Sequence, residues 1–325
     1  MRRRDFIKLV TSSAVAWPHA TRAQQPSVAQ IGFLGAGTAA AYAKDFEAFG
    51  SGLRDLGYVE GKSIIVYSRW AGGDYDRLTA LATELLALDV AVLVTHGTPG
   101  INAAKKVTTK IPIVMAVSGD ADKTGLIQHL ARPGGNVTGL TYFASEQTSK
   151  RLEVLKEVVP SLSRVAFLFN PENPVAALEL EGIESAAQSL KIELGLVEVR
   201  SVGDLNEAFS LIVKNGCSAV ETAQDAMLAS NASIIAAAAL NSRLPAVGDA
   251  PFASRGGLLG FGPNLFEMFR RAAYFVDKLL KGEKASDLPV ERPTKFELAI
   301  NLRTARVLGL TVPGAILARA DEVIE

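Results

Sequence analysis

VAVLVTHGTPGINAAKKVTTKIPIVMAV, residues 90–117, decides the fold. Val90–Thr95 and Ile111–Val117 are nearly unbroken apolar runs of strand length. Between them lie a Gly- and Pro-containing turn, THGTPG, and a short helical stretch over Asn102–Val107. An exposed strand alternates apolar and polar residues. A strand without alternation is covered on both faces, as in a parallel sheet flanked by helices.

The same grammar extends outward. Toward the N-terminus are a strand over Val28–Gly35, a helix over Ala40–Leu56 closed by Gly57, a strand over Ser63–Arg69 and a helix over Tyr75–Leu88. Toward the C-terminus come a helix over Ala121–Leu130 and a strand in NVTGLTY. The pattern then restarts. Helices over Glu146–Val159, Pro174–Leu190, Leu205–Lys214 and Met227–Leu240 alternate with strands at Arg164–Asn170, around Leu196, in SAVETA, at Arg243–Gly248 and at Gly256–Gly262. This predicts an α/β protein with two doubly wound parallel-sheet lobes. A strong helix over Asn264–Leu280 presents Phe266, Phe269, Tyr274, Phe275 and Leu279. A strand passing into a helix follows in KFELAINLRTARVLGLTVP, and Pro313 opens the final turn. A long helix in that place can cross back to the first lobe, giving a multi-crossing hinge near Tyr142, Gly262 and Pro293. The expected division is residues 24–141 plus part of 263–325 for the first lobe, and 142–262 for the second.

Composition limits the functions open to such a chain. Its 325 residues, 48% hydrophobic, suffice for two cores. The 34 basic and 34 acidic residues cancel, which argues against a nucleic-acid-binding face. Arg2, Arg3, Arg4, Lys8 and Arg22 crowd the first 23 residues beside the single acid Asp5. Without them, 29 basic residues face 33 acidic ones, leaving a body charge of −4. The single Cys217 allows no internal disulfide and reads as a buried small hydrophobe.

The basic block, the apolar stretch Phe6–Trp17 and the small residues Thr21 and Ala23 form a secretory signal, with cleavage expected between Ala23 and Gln24. RRDFIK within it resembles a twin-arginine export motif. No cysteine follows that could carry a lipid anchor, and no later segment reads as a membrane span. The mature product is therefore expected free in the periplasm.

In open parallel sheets, ligands gather beyond the carboxyl ends of the strands. The segments there are GAGTAAAY (35–42), THGTPG (95–100), SGDAD (118–122), NPENP (170–174), Ala223–Asp225 and Gly248–Phe252. Gly97 and Thr98, ahead of Pro99, suit a helix N-terminus that holds a carboxylate. Thr98 reads equally as a simple cap. Thr38, Tyr42 and Ser118 are further contact candidates, and Tyr42 could equally pack within its helix. His96 is the one histidine in a plausible cleft position, yet alone it makes no metal site. Asp120 is a possible neighbour of it. Asn170 stands at the second-lobe edge. Asp225 and Asp249 could each receive an ammonium group, or serve as a helix cap and a loop residue. Phe252 could supply an apolar wall.

Several chemistries lack their motifs. Gly32, Gly35 and Gly37 have the wrong spacing for a dinucleotide fingerprint. There is no GK[ST] phosphate loop, no HExxH, no GxSxG and no cysteine pair. No catalytic residue, metal or cofactor is expected.

Specific stretches carry a family resemblance over essentially the whole chain. They are RRRDFI…AWPHATRAQQ at the start, VAQIGFLG, residues 53–78 (LRDLGYVEGKSIIVYSRWAGGDYDRL), TKIPIVMAV, HLARPGGNVTGLT, KRLEVLKEVVP and the terminal block 281–325. In these the chain resembles ABC-transporter substrate-binding proteins of the uncharacterised TrpX-like family. The resemblance implies a type I periplasmic binding protein fold, a cleft closing by hinge motion on a small-molecule ligand, and a membrane permease as partner. It also implies that Thr38–Tyr42, His96, Thr98, Ser118 and Asp120 meet Asn170, Asp225 and Asp249 across the cleft. Members of the family have been linked to aromatic amino acids. Where many carry a bulky aromatic and charged stretch, this chain has GDAPFASRGG, residues 248–257. The expected activity is capture of a small carboxylate-bearing solute, such as an amino acid. A periplasmic sensor for a signalling partner is the alternative, followed by an enzyme on the same fold.

Overall fold

The computed structural model describes residues 28–325; the expected leader, residues 1–23, lies outside them. The first lobe is built from β1 (Ala29–Gly35), α1 (Ala43–Asp55), β2 (Ile64–Trp70), α2 (Leu78–Leu86), β3 (Val92–His96), α3 (Thr98–Val107), β4 (Ile113–Val117) and β5 (Val137–Gly139). Its sheet runs β2-β1-β3-β4-β5, parallel throughout. Every residue of β3 and β4 is buried, as their unbroken apolar runs require.

The chain continues through α4 (Ala144–Val158), β6 (Arg164–Phe169), α5 (Ala176–Leu190), β7 (Glu193–Glu198), α6 (Leu205–Lys214), β8 (Ala219–Thr222), α7 (Ala226–Ser230), α8 (Ala232–Asn241), β9 (Ala246–Gly248) and β10 (Leu259–Pro263). Last come α9 (Leu265–Leu280), β11 (Phe296–Asn301), α10 (Leu302–Leu308), α11 (Gly314–Leu317) and β12 (Glu322–Ile324). The second sheet runs β12-β11-β10-β9-β8-β6-β7. It is parallel except where β11 lies antiparallel to β10.

The segment 263–325 divides between the lobes. Met268, Phe269, Phe275 and Val276 of α9 are buried in the first core, against α1 and β4. Leu298 and Ile300 of β11 are buried in the second core. The chain thus passes between the sheets after β5, again at Asn264, and again before β11.

Three local expectations are corrected. Ala121–Leu130 is a run of turns, not a helix. Asp120 and Gly125 take positive φ, and the Thr124 hydroxyl donates to Asp120 O at 2.9 Å, so local bonds displace the helical ladder. The helix expected over Met227–Leu240 is broken at Asn231, whose side chain donates to Met227 O (2.9 Å). The helix expected over Asn102–Val107 starts earlier, at Thr98.

Strand order reverses between β1 and β3 in one sheet and between β6 and β8 in the other. Loops leaving adjacent strands diverge at such points and open a crevice. The site lies between these two crevices.

Candidate ligand cleft

At the first-lobe switch point, β3 ends in His96 and the chain turns through Gly97 into α3. Gly97 has φ +76°, a backbone that side-chain-bearing residues rarely adopt. That turn aims the first amides of α3 at the cleft and places Thr98 on its wall. Thr98 is buried and its hydroxyl has no hydrogen-bond partner among the described residues. Leaving a buried polar group unmade costs about 1–3 kcal/mol. A helix N-terminus with a free hydroxyl suits a carboxylate.

His96 is sealed beside this turn. Its Nε2 accepts from Ala36 N at 3.2 Å, so the ring proton sits on Nδ1. Burial pulls its pKa down to about 3, and the ring is neutral. It packs 4.2 Å from the Tyr42 ring, centroid to centroid. Burial likewise holds the Tyr42 phenol well above its ordinary range. The two rings, tilted 39° to each other, form an uncharged aromatic wall. Ser118 lies on the same side and donates to Leu140 O (3.3 Å).

Two carboxylates face this wall from the second lobe, in different situations. Asp225 caps α7: Oδ1 accepts from Met227 N (2.9 Å) and Leu228 N (3.1 Å). Its Oδ2 accepts from Tyr75 Oη (2.7 Å) and Asn173 Nδ2 (3.0 Å). Both oxygens are occupied. Asp249 makes no capping bond to the 3-10 turn Ala250–Arg255 that follows it. Nor does its carboxylate accept a hydrogen bond from any other described residue. Burial raises its pKa, opposed by Arg255 and Arg151. It is an open acceptor of the cleft, beside Gln224 Oε1, which also lacks a partner among the described residues, and its charge suits an ammonium group.

Tyr42, His96, Gly97, Thr98, Ser118, Asp225 and Asp249 therefore converge. Four other candidates sit elsewhere. Asp120 Oδ2 accepts from Ala144 N at 2.8 Å and pins the start of α4. Asn170 Oδ1 accepts from Glu172 N at 3.0 Å and shapes its turn. Phe252 is fully buried, its ring packed against Gly248 and Gly257 in the second core. Thr38 lines a neighbouring groove of about 650 Å³, and its hydroxyl accepts from Ala41 N.

Sequence reasoning missed Tyr75, Tyr142, Asn173 and Gln224. Asn173 and Gln224 lie in loops already selected, and only a neighbour was named in each. Tyr75 stood at a helix start with nothing local to mark it; its role depends on the opposite lobe.

Bonds between the lobes hold the arrangement shut. Besides Tyr75 to Asp225, Thr38 N donates to Ser230 Oγ (3.0 Å). Arg255 bridges Ala41 O (3.0 Å) and Ala229 O (2.5 Å). The space among these residues is about 40 Å³, room for a few waters. Among the described residues, no group of three or more His, Cys, Asp or Glu could hold a metal, and no helix is long and apolar enough to cross a membrane.

The sequence model of the ABC transporter substrate binding proteins matches residues 39–324. The chain belongs to this family. A tyrosine-binding protein of Clostridioides difficile (strain R20291) is 23% identical over 265 residues, covering 81% of this chain and 76% of the relative. The structure of a conserved domain protein from Vibrio cholerae O1 biovar El Tor superposes with a TM-score of 0.86 at 26% identity, covering 91% of this chain and 99% of that one. An ABC domain from Streptococcus pneumonia, solved with L-Trp, superposes with a TM-score of 0.83 at 22% identity, over 90% of this chain and 100% of that one. This substrate-binding protein shares its family with solute-binding proteins rather than enzymes. Its two-lobed fold is the type I periplasmic binding protein fold.

Proposed function

We propose that this substrate-binding protein captures a small zwitterionic solute, an α-amino acid, between its lobes and delivers it to the permease of an ABC importer. One observation carries the reading. A helix N-terminus with a buried hydroxyl, Thr98, and a carboxylate, Asp249, neither hydrogen-bonded to another described residue, line the same cleft. The first suits a carboxylate and the second an ammonium group. The uncharged wall of Tyr42 and His96 offers aromatic surface for the solute's side chain. The tyrosine-binding relative and the L-Trp complex accord with that preference. Residues 1–23 serve as the export signal, and the protein acts in the periplasm. The first lobe comprises residues 24–141 with part of 263–325, α9, and the second comprises residues 142–262 with the remainder, β11 to β12.

A thermal-shift screen of the purified protein tests this. The panel holds amino acids, their decarboxylated amines and their deaminated acids. A solute that binds only the folded state raises the melting temperature, by an amount that grows with its concentration. The expected result is a saturable rise with an aromatic or large apolar amino acid, and none with the matching amine or acid. Equal rises with the simple acid would remove Asp249 from the recognition.

A further inference from the structure

Behind the second-lobe wall of the cleft lies a cluster of ionisable groups sealed from solvent. Arg151 on α4, Glu179 on α5 and Glu221 on β8 are all 0% exposed. Arg151 Nε donates to Glu221 Oε1 at 3.3 Å. Its Nη2 donates to Thr148 Oγ1 at 3.1 Å and pairs with Glu179 Oε1 at 3.5 Å. Glu179 Oε1 also accepts from Thr148 Oγ1 (3.2 Å) and from Gln224 N (2.9 Å). Arg151 Nη1, Glu179 Oε2 and Glu221 Oε2 have no partner among the described residues.

The charges do not balance. One guanidinium serves two carboxylates in a sealed interior, where an uncompensated charge is strongly disfavoured. The other groups acting on the cluster do not supply a second cation. Gln147 and Thr148 on α4 are neutral, and so is Tyr142 ahead of it. Asp225 and Asp249 add negative charge, and Arg255 acts on Asp249. A proton taken up by one carboxyl restores the balance. Glu179 Oε1 accepts from Gln224 N, pairs with Arg151 and shares the Thr148 hydroxyl proton with Ala144 O (3.1 Å), whereas Glu221 has one bond at 3.3 Å, so Glu221 is the carboxyl that takes it. Burial pushes both up, Glu179 to about 7 and Glu221 to about 8, with Arg151 opposing in each case.

We propose that Glu221 is a neutral carboxylic acid in this protein near neutral pH, and that its proton fixes the loop presenting Gln224 and Asp225 to the cleft. Glu221 is thus a positioning residue, and the proposal rests on the reading above only in calling that loop solute-facing. Without the proton, two buried anions compete for Arg151. Glu179 then loses part of its hold, and with it the anchor on Gln224 N. The sign follows from a folded-state pKa raised above the unfolded value. The stabilisation is full below the unfolded pKa and is lost as pH rises through about 8.

The test needs no solute, so its outcome is separable from that of the binding reading. Infrared spectra of the purified protein should show the carbonyl band of a buried protonated carboxyl near neutral pH, absent in Glu221→Gln, which mimics the neutral acid. Between about pH 6 and about pH 9, the wild-type melting temperature should fall by about 5 °C more than that of Glu221→Gln. Over the same range, amide exchange at residues 222–228, corrected for intrinsic rates, should rise in the wild type and stay level in Glu221→Gln. Absence of the carbonyl band in the wild type would overturn the proposal even if the variant failed to fold. So would equal pH slopes in the two proteins.

Discussion

Asp225 and Asp249 look interchangeable in the sequence, each a carboxylate just beyond a β-strand. Asp225 holds four donors and closes the start of α7; Asp249 holds none. Their substitutions should therefore diverge. Asp225→Asn removes a charge-assisted network and should destabilise the ligand-free protein by about 2 kcal/mol. Burial raises the pKa of both carboxyls, but Asp249→Asn has no hydrogen bond to lose and should leave stability unchanged or higher. Chemical denaturation of both variants reads this directly, and an equal loss in both would contradict it. The sequence supports an ammonium acceptor at either residue, with a helix cap as the rival reading for Asp225 and a loop residue for Asp249. Only the partners, Tyr75 from one lobe and Asn173 from the other, separate the two roles. Neither partner is within 50 positions of Asp225.

Elements were more legible than contacts. The unbroken apolar runs at Val90–Thr95 and Ile111–Val117 placed β3 and β4 because burial on both faces leaves no other pattern. Ala121–Leu130 misled because Leu126 and Ile127 are buried as a helix face would be, while Thr124 and the positive-φ Gly125 close turns instead. Close approaches are also invisible in a sequence. Gly182 of α5 sits against the backbone of α4, where an added Cβ would fall 2.5 Å from Ser145 O. Helix propensity alone predicts that Gly182→Ala stabilises by up to about 1 kcal/mol. Overpacking against a rigid backbone costs about 1–3 kcal/mol and should win. Gly182→Ala should lower the denaturation midpoint, and a rise would show that α4 and α5 separate freely.

At the scale of the molecule, closure rests on a few cross-lobe bonds. Tyr75 donates from the first lobe to Asp225 in the second, and Arg255 reaches back to Ala41 O. A hydrogen bond to a charged group is worth about 1.5–3 kcal/mol, enough to shift a balanced open–closed equilibrium about tenfold or more. Tyr75→Phe should raise the radius of gyration of the ligand-free protein in small-angle scattering, with saturating solute restoring the compact form. An unchanged radius would mean that the hinge strands, rather than these bonds, set the lobe angle. Two lobes and a chain that crosses between them several times could be read from the alternation of elements. The setting of the lobes could not, because it depends on side chains that meet only after both have folded.

The most direct measurement is a calorimetric titration of the purified protein with the amino acid that raises its melting temperature most, repeated with Asp249→Asn. The account predicts one solute per chain in the wild type and at least a tenfold loss of affinity in the variant, as expected when an ammonium loses its charged partner. Unchanged affinity in Asp249→Asn, with the protein still folded, would contradict capture of a zwitterion between Thr98 and Asp249.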